Sequence, residues 1–268
     1  CGTSTAHSVP CMFSIFPKDE YTYKKGASTK NVLDVLNNTQ DVAILWRDNN
    51  SDSKGVALRV DYEDFQTPKT NSICDEECRD EGMLVGLEDY IEKNRGKNIL
   101  IVLHQMGNHG PAYYKRYPKE FEKFTPVCKT NQLENCTKEE ISNAYDNAIL
   151  YTDYFLSKAI NFLKKYSNTH EAGLLYVSDH GESLGENGIY LHGMPYAIAP
   201  KAQTHVASLI WLDNGQMAHE YDINKIKQNK DKEYSHDNLF DTLLGLFEVK
   251  TEVYKKELDI LNEARKED

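Results

Sequence analysis

Four segments of the sequence hold residues whose types and spacing suit metal-assisted chemistry at phosphorus. The first is S-D-H-G-E, Ser178 to Glu182, directly after the apolar run Leu174–Val177. Ligands in open α/β sheets gather at the carboxyl ends of strands. Asp oxygen and neutral His nitrogen both suit Zn²⁺, so Asp179 and His180 are candidate metal ligands. The plainer alternative is an Asp–His pair that caps the next turn, with Gly181 reversing the chain. Glu182 is either a partner that orients His180 or a solvated loop acid. The second segment is H-G-M-P, beginning at His192. The third is H-Q-M-G-N-H-G-P, His104 to Pro111, which again leaves an apolar run. His109 lies past the strand end between Gly107 and Gly110, where backbone can approach a ligand closely. His104 lies nearer the strand and reads as a core or supporting histidine. One such histidine alone is more readily structural than functional; three strand-end loops that each deliver one form a pattern.

The fourth segment is the opening, C-G-T-S-T-A-H-S-V-P-C. A hydroxyl-rich turn leads into Ala6–Phe16, where a short helix can begin. A helix N-terminus offers free N–H groups and partial positive charge, which suit a phosphate. A Thr hydroxyl placed there on Zn²⁺ becomes more acidic and can attack phosphorus. The alternative is a plain Ser/Thr N-cap, and the spacing leaves Thr3, Ser4 and Thr5 open as the hydroxyl concerned.

The elements that must position these groups are legible as apolar runs. Val42–Trp46, Asn98–His104, Gly173–Ser178 and His205–Leu212 are near-continuous, as expected of strands buried on both faces. Helical periodicity marks Lys30–Asn38, Gly82–Lys93 and Thr137–Tyr166, the last opened by a capping box of Thr137 and Glu140. Ser235 or Asp237 can cap a final helix holding Leu239, Phe240, Leu243, Leu244 and Phe247. Strands alternating with helices predict one α/β domain, a mainly parallel central sheet with helices on both faces.

The bulk properties narrow the function. The chain has 268 residues, 40% of them apolar and 27% charged, enough for a sizeable core. The net charge of −11 excludes a broad nucleic-acid surface, which must be basic. No apolar run approaches the roughly 18 residues of a membrane span. The start at Cys1-Gly2-Thr3 reads as the start of a fragment. The six cysteines cluster as Cys1 with Cys11, Cys74 with Cys78 and Cys128 with Cys136. Local pairing in that order is the simplest of the connectivities they allow and implies an oxidising compartment. Free thiols fit poorly in the polar stretch C-D-E-E-C-R-D, and a zinc knuckle lacks a second matching pair.

Longer blocks go further. C-G-T-S-T-A-x-S-V-P-C-M-F-S, W-R-D-N-N-S-D-S-K-G, H-Q-M-G-N-H-G-P, N-A-Y-D-N and S-D-H-G-E-S-L-G-E-N-G-x-Y-L-H-G-M-P resemble the lipid A phosphoethanolamine transferases. That family includes the transferable colistin-resistance enzymes and lies in the alkaline phosphatase/sulfatase superfamily. The matching blocks run from residue 1 to about 200. The resemblance implies that Thr5 is the nucleophile and, with Asp179 and His180, a ligand of a catalytic Zn²⁺. It implies that His109 and His192 serve the substrate phosphate, acid–base catalysis or a second Zn²⁺, and that Asn50, Ser51 and Lys54 line the substrate pocket. It implies disulfides at the three cysteine pairs.

By the same resemblance the donor is phosphatidylethanolamine, the acceptor lipid A or another envelope molecule, and the chain a periplasmic domain of an inner-membrane protein; a monomer is expected. One departure stands out. The family's zinc takes a further Glu from a G-E-T-x-R-like segment upstream of the nucleophile, and no such segment occurs here. That Glu, the strand leading to it and the membrane helices are therefore expected upstream of residue 1. Two rival readings are a metal-dependent phosphodiesterase or glycerophosphate transferase of the same superfamily, and a non-catalytic periplasmic zinc-binding interaction domain.

Overall fold

The structure, a computed structural model, describes residues 1–266. In chain order the elements are α1 (Thr5–Met12), α2 (Tyr23–Ser28), α3 (Val32–Asn38), β1 (Val42–Asp48), β2 (Asp61–Asp64), α4 (Leu87–Lys93), β3 (Asn98–His104), α5 (Lys138–Lys164) and β4 (Gly173–Val177). The hairpin β5 (Ser183–Leu184) and β6 (Tyr190–Leu191) follows, then α6 (Lys201–Thr204), β7 (Ser208–Leu212), α7 (Met217–Glu220), α8 (Ile223–Gln228) and α9 (Asn238–Leu246).

Local chemistry sets several boundaries. Asn31 and Asp34 form a capping box that starts α3, and Thr137 and Glu140 form the one that starts α5. The helix expected over Gly82–Lys93 is divided. A 3₁₀ turn covers Asp80–Leu84, and Gly86, in the left-handed region at φ 74, resets the chain before α4. Among the described residues no helix is long and apolar enough to cross a membrane. All three cysteine pairs are disulfides in the local pattern: Cys1–Cys11, Cys74–Cys78 and Cys128–Cys136.

Strands β2, β1 and β3 form a parallel sheet in that order. Successive β1 side chains alternate between faces. Val42, Ile44 and Trp46 pack with Val9, Met12 and Phe13 of the α1 region, Leu33 and Leu36 of α3, and Phe240 and Leu244 of α9. On the opposite face Leu45 packs with Leu87 of α4 and Phe162 of α5. The α/β layering is as the apolar runs imply. Leu33 is fully buried in the larger cluster. Leu33→Ala is expected to cost about 2–5 kcal/mol through lost burial and the cavity left behind, measurable by urea unfolding.

Two strand expectations change. β7 runs antiparallel to β4, with Val177 opposite Ser208. The chain between them makes the β5–β6 hairpin and α6, and no crossover carries it to the far end of the sheet, as a parallel return requires. β7 also begins at Ser208 rather than His205, because Lys201–Thr204 is helical and the His205 N–H bonds to Lys201 O at 2.8 Å. The second change is burial. β1 is wholly buried, whereas the equally apolar β3 and β4 are mostly half-buried. Among the described residues each has one strand partner. A cavity of about 1170 Å³ lies between them, lined by Asn98–His104 of β3 and Gly173–Val177 of β4.

Candidate metal centre and nucleophile

Thr5 is the first residue of α1, and Ser4 is its N-cap without a side-chain cap bond. Thr3 is committed elsewhere: its Oγ1 donates to Met194 O at 2.6 Å, and its carbonyl accepts from Gly193 N at 2.7 Å. The opening turn is thereby strapped to the H-G-M-P loop. Of the three hydroxyls, the buried Thr5 Oγ1 is the one that reaches His180, at 3.3 Å from Nε2. Ser8, one turn along α1, donates to the Asp179 carbonyl. The strand-end turn and the helix start are thus fastened at two points.

The S-D-H-G-E turn is tightly fitted. A Cβ on Gly181 would lie 2.0 Å from Ala202 O, so only Gly allows this approach. His180 Nδ1 bonds to Gly181 O at 2.9 Å. That contact puts the ring proton on Nδ1 and leaves Nε2 as the acceptor. Asp179 Oδ2 lies 3.7 Å from His180 Nε2 and is a buried oxygen without a hydrogen-bond partner. Buried polar atoms are nearly always satisfied, so an orphan carboxylate oxygen next to an imidazole nitrogen that itself contacts a hydroxyl needs a cause. A divalent cation supplies one: Thr5 Oγ1, Asp179 Oδ2 and His180 Nε2 are donor types that Zn²⁺ accepts.

His180, Glu182 and His192 also bring possible ligand atoms within 4.8 Å of one another. The hydrogen bonds favour the first set. Glu182 Oε1 accepts from His192 Nδ1 at 2.8 Å and from Gly110 N at 3.2 Å, and Oε2 accepts from Tyr113 Oη at 3.1 Å. That carboxylate already accepts three hydrogen bonds, whereas Asp179 Oδ2 accepts none. This corrects the expectation that Glu182 orients His180: the partner of Glu182 is His192. The β5–β6 hairpin turns the chain away between them, and Leu191, at φ 64, aims His192 back. The hydrogen bond that His192 donates to the Glu182 carboxylate raises the pKa of His192. Burial lowers that of His109, whose Nδ1 bonds to Gly110 O at 2.7 Å. The His109 and His192 rings are 4.8 Å apart, and those of His180 and His192 are 4.3 Å apart. The three imidazoles form one cluster, each with Nδ1 occupied, and His180 Nε2 faces Thr5 Oγ1.

Glu182→Gln is expected to lower kcat/KM by about 10–100-fold, the usual effect of losing a partner that orients a site histidine. It should also move the His192 limb of the pH–rate profile to lower pH, because the group that raises its pKa is lost.

The remaining residues are less concentrated. Asn50 lines the β3–β4 cavity with Thr5, His109, Asp179 and His180. Ser51 is exposed, and Lys54 Nζ folds back onto Ser51 O at 2.9 Å. His104 does not join the cluster; its Nδ1 bonds to Asp48. Sequence reasoning passed over Tyr113 and Arg116, whose Nε donates to His109 O at 2.6 Å. They sit in A-Y-Y-K-R-Y, which carries no period or motif. It also passed over Asp48, although an acid at the end of a buried strand is a usable signal.

A family model for the sulfatases matches residues 1–249. The chain is 51% identical over 256 residues to phosphatidylethanolamine transferase Mcr-2 of Escherichia coli, covering 93% of this chain and 46% of that protein. It therefore spans about half the length of the curated relatives it matches. The integral membrane protein lipooligosaccharide phosphoethanolamine transferase A of Neisseria meningitidis superposes with a TM-score of 0.95 at 42% identity, over 100% of this chain and 50% of that one. The C-terminal periplasmic domain of phosphoethanolamine transferase EptC from Campylobacter jejuni gives a TM-score of 0.85 at 46% identity, over 98% of this chain and 80% of that one. With its metal-suited strand ends, helix-borne threonine and α/β layering, this chain belongs to the sulfatase family and, within it, to the phosphoethanolamine transferases.

Proposed function

We propose that this chain is the catalytic domain of a zinc-dependent phosphoethanolamine transferase facing the periplasm from the inner membrane. It moves phosphoethanolamine from phosphatidylethanolamine to lipid A or a related envelope acceptor, through a covalent intermediate on Thr5. The observation that carries this reading is the meeting of Thr5 Oγ1, the orphan Asp179 Oδ2 and His180 Nε2 at the start of α1. Thr5, Asp179 and His180 would hold the zinc ion, which supplies Lewis acidity that makes a hydroxyl more acidic and polarises a phosphoryl oxygen.

In the first step Thr5 Oγ1 attacks phosphorus, the bond from phosphorus to the diacylglycerol oxygen breaks, and that oxygen leaves with a proton. In the second an acceptor oxygen attacks the same phosphorus and Thr5 Oγ1 leaves. The free N–H groups at the start of α1 favour the anionic phosphate. His192, with its raised pKa, suits the proton donor, and neutral His109 suits the acceptor. Asn50, Ser51 and Lys54 bind the phosphate from the β1 side. The two half-buried strand edges around the large cavity support a further part of the proposal. An extended apolar segment of the longer protein lies between β3 and β4 and ends beside Asp179, where it adds a ligand.

Intact-mass measurement tests the central step. The full-length protein, given phosphatidylethanolamine without acceptor, should gain one phosphoethanolamine group, mapped to Thr5. A glycerophosphate group gained from phosphatidylglycerol instead would make it a glycerophosphate transferase. No adduct from either lipid, with zinc bound, would leave a non-catalytic zinc-binding domain.

A further inference from the structure

The strand register sets Asp48 and His104 side by side at the carboxyl ends of β1 and β3. Asp48 is fully buried. Its Oδ1 accepts from the backbone N–H of Asn50 at 2.9 Å and of Asp52 at 3.1 Å. Its Oδ2 accepts from Trp46 Nε1 at 2.9 Å and from His104 Nδ1 at 2.7 Å. Burial alone raises the pKa of a carboxyl group. Here the His104, Trp46 and Asp52 contacts outweigh it and hold Asp48 below the usual range. An ionised Asp48 keeps the His104 proton on Nδ1, so the far ring nitrogen of His104, a residue that lines the cavity, is an acceptor.

The loop on the other side of Asp48 is strained. Asp52 at φ 96 and Lys54 at φ 50 both lie in the left-handed region, next to Gly55 at φ 87. Each such non-Gly residue costs on the order of 1–3 kcal/mol and persists only where its surroundings over-determine it. Two of the bonds that hold the loop end on Asp48. Another, from Asn50 Nδ2 to Gln105 O at 2.9 Å, ties the loop to the residue after His104. This is the loop that carries Asn50, Ser51 and Lys54. Asn50 and His104 share the cavity with Thr5 and Asp179, and Asp48 lies behind them, outside its lining.

We infer that Asp48 is a positioning residue for phosphoryl transfer, one carboxylate that sets both the strained loop Asn50–Lys54 and the His104 ring against the phosphodiester. The inference rests on the function proposed above. Asp48 touches no substrate; it acts on how tightly the headgroup is held and leaves Thr5 and its metal partners in place.

The test is steady-state kinetics of the full-length protein on phosphatidylethanolamine in mixed micelles. Asp48→Ala should raise KM by at least about thirtyfold, and Asp48→Asn, which keeps one acceptor oxygen, by about fivefold. In both, zinc content and kcat per folded molecule should stay within about threefold of wild type. KM does not depend on the fraction of folded enzyme, so a purely structural role would lower apparent kcat and leave KM unmoved. Adding Asp52→Gly, which takes φ 96 without strain, should lower the KM of Asp48→Asn about threefold. If Asp48→Ala does not fold, the KM of Asp48→Asn decides, and an unchanged value overturns the inference. Thr5→Ala, assayed in parallel, separates the two levels. If it stays active, the proposed function fails; if it is inactive while Asp48→Asn keeps a normal KM, only the role of Asp48 fails.

Discussion

Thr5→Ala should lower the transfer rate by about 10⁴-fold or more, the scale on which a covalent nucleophile is lost while binding survives. Thr3 and Ser8 cannot replace it, because both hydroxyls are spent on backbone carbonyls, Met194 O and Asp179 O. Ser4 is the helix N-cap and its side chain makes no hydrogen bond to His180. The fold should barely respond. Thr5 opens α1 and is not its cap, so its loss should cost about 1 kcal/mol or less. Thr5→Ser returns a hydroxyl to the same place and should keep activity within about tenfold of wild type. Activity of Thr5→Ala within tenfold of wild type would remove the covalent step.

The second large effect is expected at Asp179. Its Oδ2 is buried, unpartnered and 3.7 Å from His180 Nε2. Asp179→Asn keeps the shape but removes the negative charge, so zinc affinity should fall by at least about a hundredfold, beyond the 10–100-fold typical of outer-shell partners. The rate should fall about 10³-fold at limiting zinc and recover in part with excess metal. Glu182→Gln provides the contrast. Its carboxylate is occupied by His192, Gly110 and Tyr113, so its loss should change rate and pH profile more than zinc affinity. Titration against a chromophoric chelator reads both variants. Equal zinc affinity in Asp179→Asn and wild type would move the metal to the His180–Glu182–His192 group.

Much of this arrangement was legible in residue order. The capping box at Thr137, the apolar strands β1 and β3, the local disulfides and the strand-end placement of Asp179 and His180 all follow from short-range chemistry. What was not legible depends on where the chain returns. β2, the polar stretch Asp61–Asp64, has no strand pattern, and its pairing with Leu45–Asp48 exists only in the folded sheet. The antiparallel sense of β7 follows from where residues 178–207 travel. The Glu182–His192 bond needs the β5–β6 hairpin and the left-handed Leu191, which sequence spacing does not encode. Spacing alone left Thr3, Ser4 and Thr5 open; the resemblance pointed to Thr5, and the fold agrees by bonding Thr3 Oγ1 to Met194 O and setting Thr5 Oγ1 against His180.

Anomalous diffraction at the zinc edge, from crystals of the full-length protein, addresses the central claim most directly. One peak should lie about 2.0–2.2 Å from Thr5 Oγ1, an Asp179 carboxylate oxygen and His180 Nε2. A zinc-replete crystal with no density between those three atoms, or with its only peak on His109 or His192, would contradict it.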